Sequence, residues 1–348
     1  MNCSRKMTVK LFFVKTGLER VMTDIIAEPY SNDAKSFLFA YKQDLLRPFL
    51  WDGWSGSIFL NPKKKKGLLA TRRTVLSHFK EIVDLVYPVC IHADVIEIHL
   101  SILKSSKNNY VINYIKDLFP SSKIVVNIIP HGTSNFHRPD ISPDEITKMR
   151  RKNSWFLRCL FPKLRYYEYQ GERYGADDPI VNTIYTFPGH SINSPKAKEV
   201  ELRHFREQNK TGTIENNALI LGQPVYKKDR LTPEKVQKIN DRILQILSEQ
   251  NCDKVFFLPH PGEDGSKCFY QEKFEWLEPE GPMELLLFKR NFRVIISSFS
   301  TGLFTSKLIC SDSCEVYAVG TNLVSGQEGE IDQLNNEFKS VNINVVDV

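Results

Sequence analysis

The sequence lacks any cysteine pattern that would build a disulfide framework or a zinc site. Its seven cysteines are an odd number, lie scattered along 348 residues, and include no Cys-x-x-Cys pair and no nearby histidine ligands. Disulfide-rich domains and zinc modules are recognised by paired cysteines at short spacings. We therefore expect reduced thiols, which favours a cytoplasmic protein.

Long apolar runs are also missing. The apolar stretch Val9 to Val14 is interrupted by Lys10, is followed by Lys15 and has no small-residue cleavage site after it. A signal peptide requires a longer apolar region and such a site. No uninterrupted apolar stretch approaches the roughly 20 residues that cross a bilayer. We expect neither a signal peptide nor a membrane span.

Positive charge is in modest excess, with 47 Lys and Arg against 41 Asp and Glu and a formal net charge of +6. This excess favours an anionic partner, which is a nucleic acid, a nucleotide sugar or an acidic lipid surface. The basic residues follow no RRM, KH or helix-turn-helix pattern, so we expect no nucleic-acid partner.

Short β-rich apolar runs alternate with segments of helical spacing, in two series. The first series of predicted strands is Val9–Val14, Val95–Leu100 and Ile124–Ile129, with helical spacing at Thr74–Val86 and Tyr110–Leu118. The second is Ala218–Leu221, Val255–Leu258, Val294–Ile296 and Val316–Val319. This alternation is typical of parallel sheets with crossover helices. We predict two α/β lobes, over residues 1–195 and 196–348, with no internal repeat.

The segment Met149–Tyr174 combines basic and aromatic residues more densely than the rest of the chain. Such a composition suits peripheral contact with anionic headgroups of a membrane. It equally suits a helix with a solvated basic face whose aromatic residues pack into an interface. A second basic run, Lys63–Lys66, is either a solvated loop or part of the same basic patch.

Polar residues follow the predicted strands of the second lobe. His260 and Pro261 come directly after Val255–Leu258 and Pro259, at the strand end where α/β folds bind ligands. A structural histidine at a strand end is the alternative. Hydroxyls follow the next strand at Ser297, Ser298, Ser300 and Thr301, where a helix begins. Hydroxyls at a helix amino terminus can hold a phosphate without a metal, whereas helix capping accounts for only one of them.

Glu284 lies in the first turn of a further predicted helix of this lobe. A carboxylate there either accepts hydrogen bonds from the diol of a ribose or stabilises the helix dipole.

These motifs together resemble the donor lobe of bacterial CMP-sialic acid transferases. The resemblance rests on His260-Pro261, on Glu284-Leu285-Leu286, on Ser297-Ser298 through Thr301, and on Leu221-Gly222-Gln223-Pro224. The similar families are the lipooligosaccharide sialyltransferases and the polysialyltransferases. The resemblance covers mainly residues 218–320; the amino-terminal half matches only in the order of its elements.

The resemblance implies a GT-B-like fold, in which two Rossmann-like lobes with parallel sheets face each other across a cleft, and an inverting reaction. It implies that His260, Ser297 and Ser298 hold the phosphate of CMP, helped by Ser300 and Thr301. Glu284 would bind the ribose, Gly222 and Gln223 would line the nucleotide pocket, and Pro261 would fix the loop. We expect neither a metal nor another cofactor, because an Asp-x-Asp metal motif is absent and hydroxyls, a helix terminus and a histidine replace the ion.

The amino-terminal half departs from the family pattern, in which an acidic pair followed by Gly supplies the base. The corresponding residues here are His131 and Gly132, so we predict that His131 is the base; a hydrogen-bonded loop histidine without a catalytic role is the alternative. His137 and Arg138 are candidates for binding the acceptor or the sialate carboxylate. An acidic triplet at Glu263 lies in the other lobe, and Asp177 and Asp178 are reserve candidates.

We therefore expect transfer of sialic acid from CMP-sialic acid to a galactoside-type oligosaccharide, held on a lipid carrier, in lipopolysaccharide, O-antigen or capsule synthesis. The donor would bind the second lobe and the acceptor the first, in the cytoplasm at the inner face of the membrane. One alternative is transfer of another CMP-activated acidic sugar such as Kdo. The other is a non-catalytic module that binds nucleotides or glycans in a polysaccharide assembly complex.

Overall fold

A computed structural model describes residues 6–61, 67–131, 140–187, 194–200, 215–224, 231–260, 262, 268–278, 280–325 and 330–348. The chain folds into two compact units. Among the described residues, the first unit comprises 6–131, 140–186 and 194–200, and the second comprises 187 and the residues from 215 onward. We call them the first and second lobes.

The first lobe is built on a parallel sheet with the strand order β3-β2-β1-β4-β5-β6-β7. Its strands are β1 (Thr8–Val14), β2 (Ala34–Ala40), β3 (Gly56–Phe59), β4 (Val95–Leu100), β5 (Lys123–Ile128), β6 (Val181–Thr186) and β7 (Ala197–Glu199). The chain runs outward from β1 to β3 and returns so that β4 pairs with β1. Ligands of such sheets bind outside the carboxyl ends of the strands at this switch point.

The helices of this lobe are α1 (Gly17–Ala27), α2 (Leu68–Cys90), α3 (Ser106–Leu118), α4 (Pro143–Lys152) and α5 (Trp155–Leu160). The inward residues of β1, which are Val9, Leu11 and Phe13, share one core with apolar residues of α2 and α3. Burial of these side chains fixes the strand faces, because residues two apart in a strand point to the same side.

Charged residues lie inside the strands on the opposite face of this sheet. The carboxylate of Glu97 lies 3.2 Å from Lys10 Nζ and 3.0 Å from His99 Nε2. The Asn127 amide donates to the same oxygen at 3.2 Å. Burial raises the pKa of Glu97, but His99 and Lys10 outweigh burial and lower it to about 2. Glu97 is therefore an ionised, paired carboxylate.

The second lobe carries a parallel sheet in the order β10-β9-β8-β11-β12-β13. Its strands are β8 (Glu215–Leu221), β9 (Lys254–Leu258), β10 (Glu275–Trp276), β11 (Phe292–Ser297), β12 (Glu315–Val319) and β13 (Asn344–Val346). Its helices are α6 (Pro233–Gln250), α7 (Met283–Lys289), α8 (Thr301–Ile309) and α9 (Glu330–Ser340). The switch point lies between β8 and β11, which are neighbours in the sheet.

The prediction of two parallel-sheet α/β lobes is confirmed. The first lobe was predicted to end at residue 195. Its sheet also contains β7, which lies beyond that residue and pairs with β6. None of the described helices is both long and apolar enough to cross a membrane.

Candidate active site

The switch point of the second sheet is held together by hydrogen bonds between strand ends. Ser297, at the end of β11, donates its hydroxyl proton to the carbonyl of Leu221, at the end of β8, over 2.9 Å. The amide oxygen of Gln223 accepts from the backbone N–H of Phe299 at 3.1 Å. The backbone N–H of Gly222 donates to Leu258 at 2.8 Å. These bonds bring the ends of β8, β9 and β11 into one edge.

The four hydroxyls that the sequence groups together have different surroundings. Ser297 is tied to Leu221, and Ser300 is the N-cap of α8, where its hydroxyl accepts from the Gly302 N–H at 3.1 Å. Thr301 is the partly exposed first residue of α8. Ser298 is fully buried, and its hydroxyl has no hydrogen-bond partner within the described part of the chain. A buried unpaired hydroxyl costs free energy, which makes Ser298 the strongest phosphate-binding candidate of the four.

His260 lies beyond the carboxyl end of β9 and is exposed. Its Nδ1 accepts a hydrogen bond from the backbone N–H of Gly262 at 2.9 Å. A ring nitrogen that accepts carries no proton, so the neutral ring carries its proton on Nε2. His260 is thereby set up to donate a hydrogen bond from Nε2 without first becoming charged.

Glu284 on α7 is buried, and its carboxylate accepts a hydrogen bond from the Thr305 hydroxyl of α8 at 3.1 Å. Burial raises the pKa of Glu284, and the Thr305 hydroxyl offsets only part of that effect. A carboxylate can accept about four hydrogen bonds, so the Thr305 hydroxyl and the backbone N–H of Glu284 leave part of that capacity unused. Two hydroxyls of a ribose would supply further donors.

We expect Glu284→Gln to make the free protein more stable at alkaline pH and to weaken CMP binding about 10- to 100-fold, the scale of hydrogen bonds to a charged group. A raised pKa in the folded state means that protonation stabilises the fold below the unfolded value of about 4.5, and that this stability is lost as pH rises through the folded value. Glutamine imitates the protonated form. The difference in melting temperature between the two proteins should therefore grow with pH.

Thermal melts between about pH 5 and pH 9, with and without CMP, measure both effects. Equal CMP affinities of the two proteins would exclude Glu284 from the ribose site.

The first lobe places a glutamate and a histidine together at its carboxyl edge. Glu19 follows β1 in the first turn of α1, and His131 follows β5. His131 Nδ1 lies 2.5 Å from Glu19 Oε1. The Glu19 side chain is fully buried, whereas that of His131 is 28% exposed. A carboxylate this close to Nδ1 favours a proton on that nitrogen, which leaves Nε2 able to accept one.

The charge of Glu19 is maintained by its surroundings. Burial raises the pKa of Glu19, but the hydrogen bond and charge of His131, together with the Lys15 backbone N–H, hold it below its usual value. Glu19 also completes a capping box, in which its carboxylate accepts from the Thr16 N–H at 3.2 Å and its own N–H donates to the Thr16 hydroxyl at 3.2 Å. Helix start and histidine orientation thus depend on one carboxylate.

Two lysines lie near this pair. The ammonium of Lys15 donates to the Ser105 hydroxyl at the start of α3. Lys15 and Lys107 lie 5.7 and 5.5 Å from the ring centre of Tyr41. Burial lowers the pKa of Lys15, the Glu19 charge opposes this, and the Lys107 charge adds to it. Two neighbouring, partly buried cations make this edge attractive to an anion.

Several sequence-predicted residues lie outside the described part of the chain; they are Gly132, His137, Arg138, Pro261 and Glu263. Of the reserve candidates, Asp178 is buried and accepts from the Tyr167 hydroxyl and the Gln170 N–H, both at 2.8 Å. These bonds give Asp178 a structural role in its loop. Asp177 is exposed.

His, Cys, Asp and Glu side chains are the usual protein ligands of a metal ion. No group of three or more of them within the described ranges is placed to hold an ion.

Sequence reasoning missed Glu19 and Lys15. The available signal was the Thr16-x-x-Glu19 pattern directly after the first strand, which marks a helix start and so places Glu19 at the carboxyl edge of the sheet. Nothing local to Glu19 indicates that His131 is its partner.

Two parallel-sheet α/β lobes of this kind define the GT-B glycosyltransferase fold, and the chain has that fold. The family model described as alpha-2,8-polysialyltransferase (POLYST) matches residues 102–317, which is more than half of the chain. The chain therefore belongs to the alpha-2,8-polysialyltransferase family, and sialyl transfer is its class of reaction. The resemblance to bacterial sialyltransferases is confirmed. No curated protein matches the sequence.

Solved structures support the fold. An alpha/beta-galactoside alpha-2,3-sialyltransferase from Photobacterium phosphoreum matches with a TM-score of 0.54 and 12% identity, over 98% of each chain. A UDP-GlcNAc 2-epimerase from Neisseria meningitidis matches with a TM-score of 0.50 and 11% identity, over 97% of this chain and 94% of its own. At such identities the likeness concerns the fold alone.

Proposed function

We propose that the chain transfers sialic acid from CMP-sialic acid to an oligosaccharide acceptor, with inversion at the anomeric carbon and without a metal. The observation that carries the proposal is the pairing of His131 with the buried carboxylate of Glu19 at 2.5 Å. An inverting transfer requires a base for the acceptor hydroxyl, and this pair supplies one in a lobe that lacks the acidic pair of the family pattern.

The donor binds the second lobe. Ser298 and Thr301, at the amino terminus of α8, contact the phosphate of CMP, where the positive end of the helix dipole favours an anion. His260 donates from Nε2 to the oxygen on which negative charge develops as CMP leaves. Glu284 accepts from the ribose hydroxyls, and Gly222 and Gln223 line the nucleotide pocket by shaping the end of β8.

The acceptor binds the first lobe, near His131, and is a galactoside-type oligosaccharide. His131 Nε2 takes the proton of the attacking hydroxyl while Glu19 holds Nδ1–H. His137 and Arg138 contribute to binding the acceptor or the sialate carboxylate.

A sialic acid-terminated acceptor is the second candidate. Lys15 and Lys107 favour it, because two partly buried cations near His131 would pair with a sialate carboxylate. The family name, alpha-2,8-polysialyltransferase, points the same way.

An acceptor panel tests both candidates. CMP-sialic acid is offered with lactose, sialyllactose and oligosialic acid, and CMP-Kdo replaces the donor in parallel, with linkage analysis of each product. Transfer to lactose supports the galactoside acceptor, whereas transfer only to sialylated acceptors, weakened by Lys107→Gln, supports the anionic one. Binding of CMP without turnover on any acceptor would contradict the enzymatic proposal.

Chelation provides a separate prediction. Because hydroxyls, a helix terminus and a histidine are proposed to stabilise the phosphate, we expect EDTA to leave the initial rate largely unchanged. A complete loss that Mg²⁺ or Mn²⁺ restores would contradict this part of the proposal.

The proposed setting is surface polysaccharide synthesis in the cytoplasm, with the acceptor on a lipid carrier. Such an acceptor would bring the protein to the inner face of the membrane, and residues 149–174 would make the peripheral contact.

A further inference from the structure

One short helix of the first lobe exposes large apolar side chains. On α5, Trp155, Phe156 and Leu160 are 80%, 59% and 49% exposed. At about 100° per residue, these positions fall within an arc of about 140° on the helix. They therefore form one surface, which we call the α5 face. Single exposed apolar residues are ordinary on protein surfaces, but a contiguous group that includes Trp indicates an interaction site.

Exposed cations flank the α5 face along the chain. Exposed basic residues lie on the last turns of α4, on α5 itself and just after it; they are Lys148, Arg150, Arg151, Arg158 and Lys163. No Asp or Glu occurs between Glu145 and Glu168. Apolar and basic side chains without intervening acids match an anionic surface with an apolar layer beneath it.

Most other large apolar residues of this segment are buried. Leu157, Phe161, Leu164, Tyr166 and Tyr169 are buried. The composition of this segment left two interpretations open, contact with a membrane and packing into the protein, and each applies to different residues. The buried set packs into the lobe, and only Trp155, Phe156 and Leu160 remain available to a partner.

Hydrogen bonds fix the α5 face to the rest of the lobe. Arg72, buried on α2, donates to the carbonyls of Lys152 and Leu164, before and after α5. The Asn153 side chain donates to the Tyr166 carbonyl at 2.9 Å and accepts from the Tyr166 N–H at 2.8 Å. The α5 face is therefore held in place before any partner binds, which reduces the entropy lost on binding.

We propose that the α5 face inserts into the headgroup region of an anionic lipid membrane while the surrounding arginines and lysines contact lipid phosphates. Trp is enriched at the interface between headgroups and acyl chains, and nearby cations add electrostatic attraction. This contact assigns particular residues to the membrane contact proposed above. It rests on the proposed function only for its purpose, which is access to a lipid-linked acceptor.

Vesicle co-sedimentation tests the proposal with the full chain and without CMP-sialic acid. Wild-type protein should bind vesicles that contain phosphatidylglycerol, should bind phosphatidylcholine vesicles much more weakly, and should dissociate as salt is raised. The triple variant Trp155→Ala, Phe156→Ala and Leu160→Ala should bind at least about tenfold more weakly, because it removes the inserted apolar area. Its matched control is Leu69→Ala, Tyr87→Ala and Ile91→Ala, which removes exposed apolar side chains of α2 and of the residue that follows it.

Charge is tested separately. The variant Arg150→Glu, Arg151→Glu and Arg158→Glu should bind about 100-fold more weakly, since each basic residue near an anionic surface contributes about fivefold. The control Lys238→Glu, Lys289→Glu and Lys339→Glu makes the same charge change at exposed positions of the second lobe and should bind normally.

Three outcomes would overturn the proposal: no binding by wild-type protein, equal binding to neutral vesicles, or undiminished binding by the α5 variant. A dimer in solution that the α5 variant abolishes would instead assign the face to a second copy of this chain. Transfer to a soluble acceptor should be unchanged in the α5 variant, so failure of the membrane proposal remains distinct from failure of the proposed function.

Discussion

Replacing His131 with alanine is expected to lower turnover at least about 100-fold, the low end for loss of a general base. CMP affinity should change little, because the proposed donor groups lie in the second lobe. Single-turnover rates and CMP titrations measure the two effects. Near-normal turnover of folded His131→Ala would show that the base is another residue.

The variant Glu19→Gln separates the role of Glu19 in orienting His131 from its role in capping α1. Glutamine also serves in a capping box, so the start of α1 should be retained while the charge facing His131 is lost. We expect turnover to fall in this variant as well, since an amide no longer stabilises the protonated imidazole. Glu97→Gln is the matched control, because Glu97 is another glutamate of this lobe that contacts a histidine, at 3.0 Å. Equal turnover of the two glutamine variants would remove Glu19 from the mechanism.

Replacing His260 with alanine is also expected to lower turnover strongly. Loss of one preorganised donor to the leaving phosphate typically lowers turnover about 100- to 1000-fold, and His260→Ala should fall in that range. In the structure Nδ1 accepts from the Gly262 N–H, which leaves the proton of the neutral ring on Nε2, the proposed donor. His260→Gln, which keeps a side-chain N–H donor, should therefore recover part of the rate.

The exposed His92 of the first lobe provides the control for His260. His92→Ala removes the same side chain far along the sequence from every proposed site residue and should leave turnover unchanged. A His260→Ala protein with near-normal turnover, or a His260→Gln protein no better than it, would contradict hydrogen-bond donation from Nε2.

The strands that the sequence predicted are rich in apolar residues and lie in the inner part of each sheet. β2 and β3 were missed for physical reasons. Lys35 and Ser36 interrupt the apolar pattern of β2, and β3 is a short, partly exposed edge strand. Their place in the sheet depends on pairing with β1 and with each other, which local sequence does not encode.

Positions at strand ends were predictable, whereas side-chain partners were not. The order of strands and helices places His131, His260 and Ser298 at carboxyl edges, which is where parallel sheets bind ligands. The contact between His131 and Glu19 joins a residue that follows β5 to one that follows β1, and only the folded sheet brings the two together. Likewise, Ser297 resembles a ligand-binding hydroxyl in sequence, but in the fold it bonds to the carbonyl of Leu221.

The hydrogen bond from Gly262 to His260 Nδ1 has a consequence for the route by which the proton of the reaction reaches water, whereas the amount released is fixed by the ionisation of free CMP. A neutral imidazole lends a hydrogen bond from Nε2 and keeps its proton, so CMP leaves without being protonated. A phosphate monoester has a second pKa of about 6 and is mostly a dianion at neutral pH. The proton taken from the acceptor by His131 must then pass to water, to which that side chain is partly exposed. Each sialyl transfer should release close to one proton, and a weakly buffered reaction would acidify in step with product formation.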